Sequence, residues 1–230
     1  MTDATPELPP PAPSSVPPKR SVMKRALVGT AAVAVATLGF LFFIGVLGNF
    51  RVVDAGKCYR SEQLKPQAIK DAIQSHGIKS VINLRGERSN DAWYKGELAA
   101  CVDEHVDHAD FDIGLGALPK PEVLQRLVEK IEAGPYPILL HCRSGSDRTG
   151  LASAFYVHLV EKKPLAEAEA EQVTWRYGHF NLGKARSINS FFDLYHATSG
   201  GKPLREWLYQ TYPDEYAKHA AVQSKSRVND

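Results

Sequence analysis

Cysteine is scarce: Cys58, Cys101 and Cys142 are the only three in 230 residues. They are too few and too scattered for a disulfide scaffold or a four-cysteine zinc site. An excess of one charge is also missing. With 28 basic and 26 acidic residues the net charge is +2, which leaves no general polyanion-binding surface and offers nothing for nucleic acid. No internal repeat stands out. Hydrophobic residues at 43% and charged residues at 23% sit near the globular average, so wholesale disorder is excluded.

One long apolar run departs from that average. Ala26 to Gly48 gives 23 consecutive uncharged residues. As a helix it would be about 35 Å long, enough to cross a hydrocarbon core of about 30 Å. A cleaved signal peptide has a shorter apolar region and a small-residue exit, whereas this run ends in Phe40-Leu41-Phe42-Phe43-Ile44. The reading is an uncleaved single-pass anchor. Lys19, Arg20, Lys24 and Arg25 precede it, against Arg51 and Lys57 with Asp54 after it. The positive-inside bias puts the N-terminus in the cytoplasm and the rest beyond the inner membrane, in a periplasmic or other extracytoplasmic space.

The expected organisation has four parts: a proline-rich leader with a basic flank at 1–25, the anchor at 26–48, a folded domain at 51–215 and a polar tail at 216–230. The leader holds Pro6, Pro9, Pro10, Pro11, Pro13, Pro17 and Pro18, a composition that cannot bury a core. In the domain, Pro66 to His76 has helical spacing (Ala68, Ile69, Ala72, Ile73) closed by Gly77. Lys79 to Leu84 reads as a strand ending at Arg85-Gly86, and 105–113 as a second strand. Pro121 to Ala133 places Leu124, Leu127, Val128 and Ile131 on one helical face. Pro137 to Leu140 is a buried strand, and Thr149 to Val160 a helix. This alternation predicts an α/β domain with a central, mostly parallel sheet flanked by helices, its chemistry at the carboxyl ends of the strands.

The segment between that last strand and helix is His141-Cys142-Arg143-Ser144-Gly145-Ser146-Asp147-Arg148-Thr149-Gly150. A cysteine there lies in the positive field of a helix N-terminus, which favours the thiolate. Small and polar residues from Ser144 to Ser146 allow successive N–H groups to converge as an anion-binding nest. Arg148 offers a planar fork for two phosphoryl oxygens. These are the parts for nucleophilic attack on phosphorus.

The pattern His-Cys-x5-Arg-Thr-Gly resembles the signature of the cysteine-based phosphatases, the protein-tyrosine and dual-specificity superfamily, and 53–212 looks like one compact domain of that kind. The resemblance implies Cys142 as nucleophile and Arg148 as phosphate ligand, with Arg143, Ser144, Gly145, Ser146 and Asp147 completing the phosphate loop. It implies that His141 supports the loop, that the Thr149 hydroxyl stabilises the leaving thiolate, and that no cofactor or metal is needed. A carboxylic acid must also protonate the leaving oxygen. Asp112 and Asp110 lie about thirty residues before the cysteine, where the compact members carry theirs. Asp147 is a third candidate, from similarity to bacterial and lipid-directed branches.

Arg85, closing its strand, can point into the same pocket and hold a second anionic group, or pair with Glu87 or Asp91. Arg143 and Arg176 can add positive field. His105, His108, Asp110 and Asp112 could be drawn as a metal site, but alternating strand residues explain them more simply. Trp175 and Tyr177 fit core or rim. The expected partners are a phosphorylated protein or lipid and the membrane. The competing classes are a non-catalytic phosphate-binding module and a sulfurtransferase of the rhodanese type, against which Asp147 counts. Cys58 or Cys101 could act as a resolving partner if Cys142 is oxidised.

Overall fold

A computed structural model describes the backbone of residues 19–46 and 48–228, and side chains for 23–39 and 48–222. Of the leader expected at 1–25, residues 1–18 lie outside the described residues, and its basic flank from Lys19 is helical and continuous with the apolar run. The chain divides into two compact units, 1–42 and 43–230. The first contains most of helix α1, Lys19–Val46, whose described side chains from Met23 to Gly39 are all exposed. Among the described residues no helix is long and apolar enough to cross a membrane, so the span expected at 26–48 is not supported there. The side chains of Phe40 to Leu47, the bulkiest stretch of that span, lie outside the described residues.

The second unit is built on five strands: β1 (Arg51–Asp54), β2 (Cys58–Ser61), β3 (Ser80–Asn83), β4 (Asp107–Asp110) and β5 (Ile138–His141). Their order is β1-β2-β5-β3-β4. β1 and β2 form an antiparallel hairpin, and every other pairing is parallel. The mixed, mostly parallel sheet agrees with the expected fold. Short strands with both faces buried explain why β3 and β5 lack polar alternation. Val81 and Leu139 pack on one side with Ile69, Ile73, Ala100 and Cys101. Ile82, Ile138 and Leu140 face the other, larger core.

The helices follow their local signals. α2 (Pro66–His76) begins with proline at its first turn and ends at Gly77, whose φ of +62° lets its N–H reach the Ile73 carbonyl. α3 (Ala92–Asp103) joins α2 on the smaller core. α4 (Pro121–Ala133) buries the predicted stripe of Leu124, Leu127, Val128 and Ile131. α5 (Asp147–Leu159) is buried over almost its whole length, which erases any amphipathic pattern. Below it lie α6 (Leu165–Gln172), α7 (Arg186–Thr198), α8 (Leu204–Gln210) and α9 (Tyr212–Val228). Phe191, Trp207 and Tyr212 form an aromatic cluster there, with ring centroids 4.8–5.7 Å apart. The polar tail expected from 216 is helical through Val228.

Strand register then positions the chemistry. Ser61 of β2 and Asn83 of β3 both align with His141, the last residue of β5. Cys142 therefore leaves the middle of the sheet between the segments starting at Glu62 and Leu84. The carboxyl end of a central parallel strand is where an α/β sheet opens a crevice.

Candidate active site

The loop 142–146 runs from β5 into α5, and its conformation is held from behind. The Gln63 N–H donates to the Arg143 carbonyl (3.3 Å), and Asn49 Nδ2 to that of Ser144 (2.9 Å). Arg60 Nη2 donates to the Gly145 carbonyl (2.9 Å) and to that of Ser146 (3.3 Å). In a trans peptide the next N–H points opposite to the carbonyl. Four carbonyls tied to the protein thus turn the N–H groups of Ser144, Gly145, Ser146 and Asp147 outward. Together they make a cradle of partial positive charge at the start of α5.

Gly145 makes that path possible. Its φ is +70°, and a Cβ there would lie 2.7 Å from the Ser61 carbonyl carbon and the Glu62 nitrogen. Any side chain would strike the backbone of β2.

Cys142 sits buried at the cradle floor. Burial alone would raise its thiol. The Arg148 guanidinium, the Thr149 hydroxyl and the N–H groups of Thr149 and Ser144 outweigh that and hold it below its ordinary value. No hydrogen bond elsewhere engages the buried Thr149 hydroxyl. Arg148 donates one long bond, Nη1 to the Leu84 carbonyl (3.5 Å), and its buried Nε has no partner. An orphaned guanidinium donor beside a thiolate and a ring of N–H groups fits a tetrahedral oxyanion. By contrast, burial pushes Cys58 well above its ordinary value and Cys101 up to about 12. Neither is primed to attack an oxidised Cys142.

Arg85 lies at the rim. Its guanidinium stacks on the Trp93 ring (3.7 Å to the centroid) and donates to Gln63 Oε1 (3.3 Å). The direct ion pair with Glu87 or Asp91 considered from sequence is replaced by these two contacts. Burial, followed by repulsion from Arg148 and Arg143, lowers its pKa, so three guanidinium groups share one field.

The three acid candidates fall in different settings. Asp110 accepts from Asn83 Nδ2 (2.7 Å) and the Tyr94 hydroxyl, with His108 at 3.8 Å. Asp147, at the first turn of α5, accepts from His179 Nδ1 (2.7 Å). Asp112 is 65% exposed, and its one ion pair is a 3.4 Å contact with Arg88. Its backbone bridges Arg85. Gly86 permits that approach, since a Cβ there would sit 2.6 Å from the Asp112 Cβ.

Two supporting residues escaped the sequence reading. Glu97 of α3 is fully buried and accepts from Gln63 Nε2 (2.5 Å), His108 Nε2 (2.8 Å) and His141 Nε2 (3.1 Å). Burial would raise its carboxyl, but the positive field of His141 and these hydrogen bonds hold it well below the usual carboxylate range. His108, drawn beforehand as a metal ligand, is thus one of its donors. Arg60 was the other omission. The one hint was an acidic residue inside an otherwise apolar helix face; nothing local marks Arg60, which stands between Tyr59 and Ser61.

The model of the family described as the tyrosine phosphatase family matches residues 116–166. No curated protein matches the chain. Among solved structures, a DUF442 protein of Shewanella putrefaciens CN-32 aligns at 17% identity over 65% of this chain and 88% of that one, with a TM-score of 0.50. Pseudomonas aeruginosa TpbA aligns at 18% identity over 63% and 83% (TM-score 0.49). The core catalytic domain of the Saccharomyces cerevisiae PP-IP phosphatase SIW14 aligns at 17% over 66% and 91% (TM-score 0.49). The first of these shows a shared fold. The family match runs through the strand, the loop and the helix that build the cradle, so it is this segment that carries the sequence pattern of the tyrosine phosphatase family.

Proposed function

We propose that the protein hydrolyses phosphate monoesters carried on membrane lipids or other headgroup-like polyanions, through a phosphocysteine intermediate on Cys142. The observation that carries this is the convergence of the lowered Cys142 thiol, the orphaned Arg148 Nε and the outward N–H groups on one point. Cys142 Sγ attacks phosphorus, and an S–P bond forms as the ester P–O bond breaks. Arg148 and the loop N–H groups hold the three equatorial oxygens.

Asp112 supplies the proton to the leaving oxygen. Its exposure and single weak ion pair leave it free to move, while Asp110 and Asp147 are committed to other partners. In the second half, water attacks phosphorus and gives its proton back to Asp112. The S–P bond breaks, releasing inorganic phosphate and restoring the thiolate, which the Thr149 hydroxyl stabilises.

The substrate class rests on charge. Arg85 and Arg143 crowd the field of Arg148, more cation than one phosphate monoester needs. The exposed apolar side chains of α1, among them Leu27, Val28, Val33, Val35 and Leu38, support the anchor, which would hold the domain near headgroups. We place the N-terminus in the cytoplasm and the catalytic unit beyond the inner membrane, a topology that a C-terminal periplasmic reporter checks.

Phosphate release from the full chain, screened over phosphoinositides, glycolipid phosphates and phosphotyrosine peptides, tests the reading, with Cys142→Ser as control. Faster turnover of the lipid phosphates supports it. A phosphotyrosine preference would move the substrate to protein, and turnover surviving in Cys142→Ser would remove the mechanism.

A further inference from the structure

We infer that Arg60, buried beneath the loop, is the positioning residue that keeps the phosphate cradle aimed outward and serves as a second cation facing the Cys142 thiolate. The inference rests on Cys142 being the nucleophile, as proposed above. Arg60 is fully buried in β2. Its Nη1 donates to the carbonyl and the side-chain oxygen of Gln172 (both 2.9 Å), and its Nη2 to the carbonyls of Gly145 and Ser146. Every one of these acceptors is neutral. The guanidinium also lies 3.9 Å from the centre of the Tyr177 ring.

A buried cation without a carboxylate is expensive, and well-packed apolar residues serve a core equally well. Something must compensate for the charge. Burial lowers Arg60 to about 10. The groups that favour its charge are Tyr177, then Cys142 and Cys58, and Arg51 of β1 opposes it. Cys58 is held neutral by its own burial. Arg60 is tied to the Gly145 and Ser146 carbonyls of the very loop that begins at Cys142, and Cys142 is the thiol whose ionisation its surroundings favour. A thiolate there, and then a phosphoryl group bound on it, is the negative charge we set against Arg60.

The geometry adds a second role. By fixing the Gly145 and Ser146 carbonyls, Arg60 turns the Ser146 and Asp147 N–H groups toward the anion. Arg148 acts on the substrate side of the loop, and Arg60 acts from behind it.

The test follows Cys142 alkylation by iodoacetamide against pH in the full chain, mapped by mass spectrometry, together with vanadate inhibition. Arg60→Met should slow alkylation at pH 6 about tenfold relative to wild type and weaken vanadate binding at least as much. Arg60→Lys should keep most of the thiolate yet still lose vanadate affinity, because an ammonium cannot fork between two carbonyls. A folded Arg60→Met variant that alkylates and binds vanadate like wild type overturns the inference. If wild-type Cys142 itself titrates as an ordinary thiol, the nucleophile reading fails instead.

Should neither variant fold, the wild type still decides. The Arg60 guanidinium NMR signals, assigned through the Tyr177 ring, should shift as Cys142 titrates and stay fixed in Cys142→Ser. Signals that do not move as Cys142 titrates overturn the inference.

Discussion

Glu97 Oε1 lies between two imidazoles, 3.1 Å from His141 Nε2 and 2.8 Å from His108 Nε2. One buried carboxylate thus anchors the residue immediately before Cys142 to a helix on the opposite face of the sheet. Replacing it with glutamine keeps the shape but removes the charge that both rings share. Glu97→Gln should lower kcat/KM roughly tenfold, about 1.4 kcal/mol. It should also cost about 3 kcal/mol of stability, in the range for breaking a buried charged network.

The same residue sets an acid limb. Its folded pKa is depressed from an ordinary 4.5, so its stabilisation is complete above about pH 4.5 and fades as pH falls below that. Wild-type Tm should therefore drop below pH 4.5 more steeply than that of Glu97→Gln. Parallel curves in thermal scans would remove Glu97 from the account.

His179 acts in the opposite direction. Burial disfavours its charge, but hydrogen bonds to Asp147 and Asn189 raise its pKa above 6.5. Its contribution is fully present below pH 6.5 and lost as pH rises through the folded value. Between pH 6 and 8.5 the wild type should lose more Tm than His179→Gln. An equal loss in both would show that the imidazole does not charge.

The acid assignment is read by leaving group. Asp112→Asn should slow an alkyl phosphate far more than an activated aryl phosphate, by about 100-fold against a few-fold. The same discrimination in Asp147→Asn, with none in Asp112→Asn, would transfer the role to the helix terminus.

Gly145→Ala tests the cradle. A Cβ at φ +70° would sit 2.7 Å from the β2 backbone, and a left-handed residue with a side chain costs roughly 1–2 kcal/mol before any clash. The loop should shift and vanadate inhibition weaken at least tenfold, with far-UV circular dichroism unchanged. Undiminished vanadate inhibition would show that the N–H groups do not form the site.

The loop and the elements flanking it were legible in the sequence because their signals are local. Pro66 and Gly77 bracket α2, the Leu124–Ile131 stripe marks α4, and Cys142 to Arg148 keep a fixed spacing. β2, α3 and the helices after α5 were not. β2 is four residues long and carries a charged side chain at a buried position. Glu97 and Arg60 are meaningful only once the register of β2, β3 and β5 brings 60, 97 and 141 behind one loop, and no spacing in the chain encodes that meeting. The apolar run at 26–48 was legible as composition, yet composition does not establish a span.

The most direct measurement is acid-quenched mass spectrometry of the enzyme during turnover of an aryl phosphate. A phosphoryl group trapped on Cys142, accumulating further in Asp112→Asn as hydrolysis slows, is the result expected here. Full turnover with Cys142 never modified, or with the label on another residue, would contradict it.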